Sequence, residues 1–336
     1  MMKRPRFLPD NFMLLMMASV ISASLFPCAG TSAHVFNGIT TVAICLLFFL
    51  HGAKLPREAV MAGAAHWRLH LTVLICTFVV LPLLGWLLKP LFLPFVTPEL
   101  YLGVMFVCVL PSTVQSSIAF TSIARGNVPA AVCAASASNL LGVFLTPMLI
   151  SLVVVAQAGS AASFDAIKNI ALQLLLPFVA GQLARPWIGP LISSSKVLLK
   201  VVDQGSILLV VYTAFSEAVN QGLWQQLPNH ALAGLILIDA LLLALVMLIA
   251  TFASRRLGFS KEDEITIVFC GSKKSLASGI PMAKILFAGH ALGAVVLPLM
   301  LFHQIQLMVC AVMAKRYSLR PIQTVPMPQA INRGGS

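Results

Sequence analysis

The sequence predicts an all-α polytopic membrane protein. Ten transmembrane helices are expected as two inverted five-helix repeats, with helices 4 and 9 broken at the midplane. Three observations lead there. The 336 residues are 59% hydrophobic and only 10% charged, where a soluble domain averages about 25% charged. The apolar residues fall into ten long segments separated by turn signals. Two of those segments, at corresponding places in the two halves, carry polar and helix-breaking residues at mid-depth.

In chain order the segments run roughly over 11–27, 36–55, 69–92, 100–124, 128–157, 166–187, 201–222, 231–253, 264–287 and 291–314. Each is close to the ~20 residues a helix needs to cross a hydrocarbon core of about 30 Å. Pro27 and Gly30 end the first, Pro56 the second, and Pro94 and Pro98 the third. Gly126 and Asn127 separate the fourth from the fifth, and Gly159 and Ser160 end the fifth. Pro186 to Pro190 close the sixth, Pro228 and Asn229 the seventh, Gly258 the eighth and Gly289 the ninth. Lys3, Arg4 and Arg6 ahead of FMLLMMASVISASLF have the outline of a signal peptide. No small-x-small cleavage site follows promptly, so the segment is read as a retained first span. The first repeat is expected over 1–160 and the second over 161–317, with a disordered cytoplasmic tail at 318–336. Loops this short leave no room for a soluble catalytic domain.

Charge fixes the expected orientation. With the N-terminus placed in the cytoplasm, 17 of the 22 Lys and Arg fall on the cytoplasmic side. Only Lys89, Lys168 and Lys284 fall outside, and Lys273 and Lys274 lie within a span. That bias is the positive-inside pattern for both termini cytoplasmic. The net charge of +12 is thus a topology signal and not the footprint of nucleic acid. The seven cysteines lie in apolar runs without a C-x-x-C pair, and read as small buried residues.

The ninth segment contains FCGSKKSLASGIP, Phe269 to Pro281. Lys273 is about 13 Å into the hydrocarbon core, where one Lys costs roughly 2.5–3.5 kcal/mol on insertion scales. Two adjacent lysines there call for a reason, and a binding site is the reading that supplies one. Neighbouring helical positions differ by about 100°, so both can face one cavity only if the helix is unwound. An odd number of spans per half makes the second repeat upside down relative to the first, and the fourth span should then be interrupted as well. It reads LPSTVQSS, with Pro111 at mid-depth, and the two breaks are 159 residues apart if Ser116 is set opposite Ser275. Inverted repeats with helices broken at the midplane are a plan of secondary transporters.

The candidate substrate- or ion-binding residues follow from those breaks. Ser272, Lys273, Lys274 and Ser275 come from the ninth span, and Thr113, Gln115, Ser116 and Ser117 from the fourth. Ser136, Ser138 and Asn139 stand in the alanine-rich fifth span, Asp239 in the eighth, and His303 and Gln304 in the tenth. Helix-to-helix hydrogen bonding and close packing are the alternative uses of these hydroxyls and amides. Asp239 and Glu217 are the acids able to neutralise a lysine. His51, Lys54 and Glu58 sit at a cytoplasmic end and read as an anchor. The spacing of a Walker-A loop, HExxH and GxSxG are all missing, so ATP-driven pumping, metalloprotease and esterase chemistry have no support. No cofactor and no metal is expected.

The run VCVLPSTVQSSIAFTSIARGNVPAAVCAASASNLLGVFLTP resembles the fourth and fifth helices of the bile acid:sodium symporter superfamily, that is, solute carrier family 10 and its bacterial relatives. ICLLFFLHGAKLPREA, SILLVVYTAFSEAV, DEITIVFCGSKKSLASGIPMAKILF and LPLMLFHQIQLMVCAV are similar to its bacterial YfeH group, and the likeness covers about residues 8–317. The resemblance implies a core of spans 3–5 and 8–10, a panel of spans 1, 2, 6 and 7, and spans 4 and 9 crossing at the site. It also marks a departure. Sodium-coupled members carry a glutamate and a Gly-x-Gln-Asn-Ser-like run in the ninth span. With Gly271 on the family glycine, Phe269 stands at the glutamate and Lys273 at the glutamine. The Ser-Asn pair of the fourth span becomes Ser117–Ile118, so the family's sodium ligands do not carry over. The expectation is a secondary transporter of the bacterial inner membrane, working by alternating access on a small organic anion. Sodium and the proton are the candidate coupling ions, and a non-transporting membrane regulator is the reading from another class. Membrane lipid is the expected surrounding, nucleic acid is no partner, and the oligomeric state is left open.

Overall fold

The computed structural model describes residues 11–54, 66–158, 175–188, 196–220, 222, 229–287 and 292–320, and among them every regular element is helical. Apart from the four-residue helix Lys89–Phe92, the helices are α1 (Asn11–Leu25), α2 (Gly30–Lys54), α3 (Trp67–Leu87), α4 (Pro98–Val109), α5 (Val114–Ile123), α6 (Val128–Ala158), α7 (175–188) and α8 (Lys196–Asn220). They continue with α9 (Asn229–Arg256), α10 (Lys261–Gly271), α11 (Leu276–Leu286) and α12 (Leu292–Ser318).

Among the described residues five helices are each long and apolar enough to cross a membrane: Gly30–Ala53, Trp67–Leu87, Val128–Leu152, His230–Arg256 and Leu292–Ser318. α4 and α5 pass that test as a pair, bent by 62° at the break between them. The other expected spans are not among them. The apolar part of α1 is only Leu14–Leu25, α8 is interrupted by polar and charged residues such as Asp203, Gln204 and Glu217, and α10 and α11 are 11 residues each. The sixth segment lies partly outside the described residues. Large apolar side chains are turned outward, with Val42 69% and Leu248 66% exposed, which is the surface of a protein solvated by lipid tails. The seven cysteines are free thiols, and Cys45 alone is not buried.

The helices sort into two packed groups. α3 to α6 and α9 to α12 pack chiefly on one another, and α1, α2 and α8 form a second group that meets the first mainly where α8 lies on α11 and α12. α7 joins the second group by backbone-to-backbone contact with α2. A Cβ at Gly52 would fall on the Phe178 carbonyl, and one at Gly181 on the Phe49 carbonyl. Only two glycines facing each other permit that approach.

The irregularities inside the first group position the site. α3 widens to a π turn at Cys76–Val80, where Leu81 N–H donates to Cys76 O. Pro82 lacks an N–H and its ring would clash with the carbonyl four residues back, which accounts for the slip in register. Pro111 stops α4 and Gly271 ends α10, leaving residues 110–113 and 272–275 outside helices. One interval of 162 residues separates the last residues of the first halves, Val109 and Gly271, and also the first residues of the second halves, Val114 and Leu276. The backbone phase therefore differs by three residues from the 159 read from the hydroxyl pattern.

Candidate functional site

A helix that stops inside a membrane leaves carbonyls without partners, and each needs a donor. At the end of α4, Val107 O accepts from Leu110 N–H at 3.3 Å, since Pro111 has none to give. Val109 O accepts from the Thr146 hydroxyl at 2.9 Å. The natural partner of Cys108 O is Ser112 N–H, which instead donates to Ser138 Oγ at 3.0 Å. Gly142 makes room for this arrangement, because a Cβ there would lie 2.5 Å from the Pro111 ring. Cys108 O, Leu110 O and Thr77 O of the π turn remain, and all three accept from one group. Lys274 Nζ donates to them at 2.7, 2.7 and 2.8 Å. Three acceptors require three N–H donors, which only the protonated amine has.

Lys273 leaves the unwound strand on the other side. Its Nζ lies 4.1 Å from the centroid of the Phe120 ring and 5.5 Å from that of Phe269. Among the described residues it has no hydrogen-bond partner, so two aromatic faces are its near surroundings. Unwinding lets the adjacent lysines diverge, and both are fully buried.

The two unwound strands are bound to each other at the crossing. Ser275 N–H donates to Pro111 O at 2.9 Å, and the Thr113 hydroxyl donates to Lys274 O at 2.7 Å. Gln306 of α12 pairs with the backbone of Lys274 from both sides, accepting from its N–H at 2.8 Å and donating to its carbonyl at 2.9 Å. Ser117 Oγ donates to Phe269 O at 3.1 Å, and Ser272 Oγ to Val268 O at 2.6 Å.

Beside this crossing lies a cavity of about 490 Å³ between the two helix groups, within the 300–1,000 Å³ range of small-molecule sites. Its first wall is made by Thr113 to Ser116, Asn139, Ser275 to Ser278 and His303. Its second wall is made by Phe12, His51, Leu199, Asp203, Gln204 and Ile207. The N-termini of α5 and α11 therefore both open on it, where free N–H groups and helix dipoles favour negative charge. Ser275 caps α11 by accepting from Ser278 N–H at 3.2 Å, and Ser278 Oγ donates to Asn139 Oδ1 at 2.8 Å. His303 Nδ1 is 2.9 Å from Gln306 Nε2, and His51 Nε2 is 3.9 Å from Asp203 Oδ1.

Of the residues singled out in the sequence, Thr113, Gln115, Ser116, Asn139, Ser275 and His303 come together on the cavity. Lys273, Lys274, Ser272, Ser117 and Ser138 do not line it; all but Lys273 make hydrogen bonds at the two breaks behind its wall. Ser136 and Gln304 are also absent from the lining, and Asp239 is fully buried in α9 with neither carboxylate oxygen hydrogen-bonded among the described residues. Glu217 does meet a lysine, but it is Lys284 of α11, at 3.3 Å. Sequence reasoning missed Asp203 and Gln204, although DQGS stood out inside an apolar segment. It set His51 aside as an anchor. It also missed Ser278, one turn on from Ser275, and the backbone role of Gln306.

Comparisons with known proteins give the chain a family. The signature of the SBF-like CPA transporter family matches residues 10–319. The chain is 64% identical to an uncharacterised protein of Pseudomonas aeruginosa, over 95% of this chain and 96% of that one. It is 56% identical to YfeH of Escherichia coli, whose name includes the word symporter, over 92% of each chain. It is 29% identical to sodium/bile acid cotransporter 7 of Rattus norvegicus, over 90% of each. With nearly its whole length matched, this multi-pass membrane chain belongs to the SBF-like CPA transporter family, in the YfeH group of the bile acid:sodium symporter superfamily.

Proposed function

We propose that the protein is a secondary transporter of the bacterial inner membrane that moves a small organic anion by alternating access. The observation that carries this reading is the cavity at the crossing, on which the N-termini of α5 and α11 both open. Their dipoles favour an anionic group of the substrate without a lysine in contact. Asn139, Ser275, Gln115 and Ser116 supply hydrogen bonds that orient it. Ten spans in two inverted repeats, with α4–α5 and α10–α11 as the broken fourth and ninth, is the topology this reading uses. The common 162-residue interval supports it. With both termini cytoplasmic by the charge count, the cavity walls at Phe12, His51 and Leu199 lie toward the cytoplasm, and this is an inward-open state.

Sodium coupling is the reading that the names of the relatives bring, and coupling to protons or to no ion is the second. The second is favoured by Lys274, whose amine takes up two carbonyls freed at the break after α4 and one freed by the π turn of α3. The test is uptake of labelled organic anions into proteoliposomes, with sodium and proton gradients imposed separately. Uptake that Asn139→Ala lowers on the order of tenfold, the weight of one or two hydrogen bonds of about 1 kcal/mol, is the expected result. Strict dependence on the sodium gradient would restore the first coupling. A protein that takes up no anion under any gradient would be a membrane regulator.

A further inference from the structure

Lys274 has a second meaning that is independent of the substrate. Buried lysines in membranes ordinarily meet a carboxylate or reach toward the interface. Among the described residues no carboxylate is within ion-pair distance of Lys274, and it is 0% exposed. Its partners are neutral backbone oxygens from α3, from the end of α4 and from the strand after it, all within 2.8 Å. Each is free for a separate local cause. Leu81 N–H has slipped to Cys76 and Pro82 has no N–H, so Thr77 O has no helical donor. Ser112 N–H has been drawn to Ser138, which frees Cys108 O. Leu110 has left the helix altogether. The oxygens also gather at the C-terminal, negative end of the α4 dipole. Convergent carbonyls at a helix C-terminus are how membrane proteins coordinate small monovalent cations.

We propose that these three carbonyls form a monovalent-cation site whose occupant is the ammonium of Lys274 itself, a cation tethered to the chain. The intact protein then needs no dissolved cation at the crossing. Removing the tether leaves a vacant oxygen site that a primary ammonium ion or an alkali cation can fill.

The test uses the full-length protein in detergent, with thermal stability measured in sodium, potassium, methylammonium or N-methylglucamine chloride at one ionic strength. The wild type is expected to have the same Tm in all four. Lys274→Ala is expected to have a lower Tm in N-methylglucamine chloride, which methylammonium or sodium raises saturably. Lys274→Met fills the space without charge, and is expected to be destabilised with no response to any cation. If Lys274→Ala survives extraction only when sodium or methylammonium is present, the same conclusion follows. The proposal is overturned by an Ala variant indifferent to the cation or unrecoverable in every salt. It is overturned equally by a Met variant as stable as the wild type, or by a wild type that sodium stabilises as much as it does the Ala variant.

Discussion

Neutralising one side of the Glu217–Lys284 pair should release the end of the cleft opposite the cavity. Glu217 lies ten residues beyond Ile207 on α8, about 15 Å further along that helix, and Lys284 lies six beyond Ser278 on α11, about 9 Å further. Between cavity and ion pair α8 packs on α11, and the residues buried along that stretch include Val210, Val211 and Ala214 of α8 and Ile280 and Ala283 of α11. In an alternating-access cycle this seam must part and the pair must break. Its side chains are 18% and 38% exposed, so it is worth about 0.2–1 kcal/mol net, with salt screening part of it. That shifts a two-state equilibrium roughly 1.4- to 5-fold. A single cysteine replacing Ala214, in a background without the native cysteines, reports the opening. Its labelling by an impermeant maleimide added outside intact cells should be faster by that factor in Glu217→Gln. Exchanging the charges, Glu217→Lys with Lys284→Glu, should return the rate to that of the parent. The latch is refuted if Glu217→Gln labels at the parental rate, or if the exchanged pair labels as fast as the single variant.

Two further expectations concern the crossing. Gln306→Ala removes two buried hydrogen bonds to the Lys274 backbone and should cost roughly 2–4 kcal/mol, seen as a large fall in thermal stability; a fall no larger than that of an exposed substitution such as Gln115→Ala would show that the amide is dispensable. Gly142→Ala places a methyl group against the Pro111 ring and should destabilise by about 1–3 kcal/mol through overpacking, whereas an unchanged Tm would mean that the break between α4 and α5 adjusts freely.

Much of this arrangement can be read from residues alone, and the part that cannot has a definable cause. Pro111 and the run from Gly271 to Ser275 announce two interruptions, because proline removes a donor and small polar residues tolerate unwound backbone. The hydroxyls that line the cavity are legible for the same reason. The direction of Lys273 and Lys274 is not. Outside a helix there is no 3.6-residue period from which to read a side chain's face. The partners of Lys274 are main-chain oxygens, which no residue type reports. The role of Gln306 is hidden for the same reason, since its work is done on the Lys274 peptide groups. The difference between 159 and 162 residues has the same origin: side-chain hydroxyls mark the neighbourhood of a break, and backbone hydrogen bonds mark its place.

Pro82 and Lys274 are 192 positions apart in the sequence, yet neither is free to change alone. Pro82 withholds the N–H that would have met Thr77 O, and Lys274 supplies the missing donor. Replace the proline, and the helix can close on its own carbonyl, stranding part of the amine. Replace the lysine, and the flaw in α3 becomes a naked dipole in the interior. The two residues form an epistatic pair: each substitution is costly in the presence of the other's original residue, and less costly once the other has also gone. The helix defect and the charge that heals it would therefore be expected to enter and leave a lineage together.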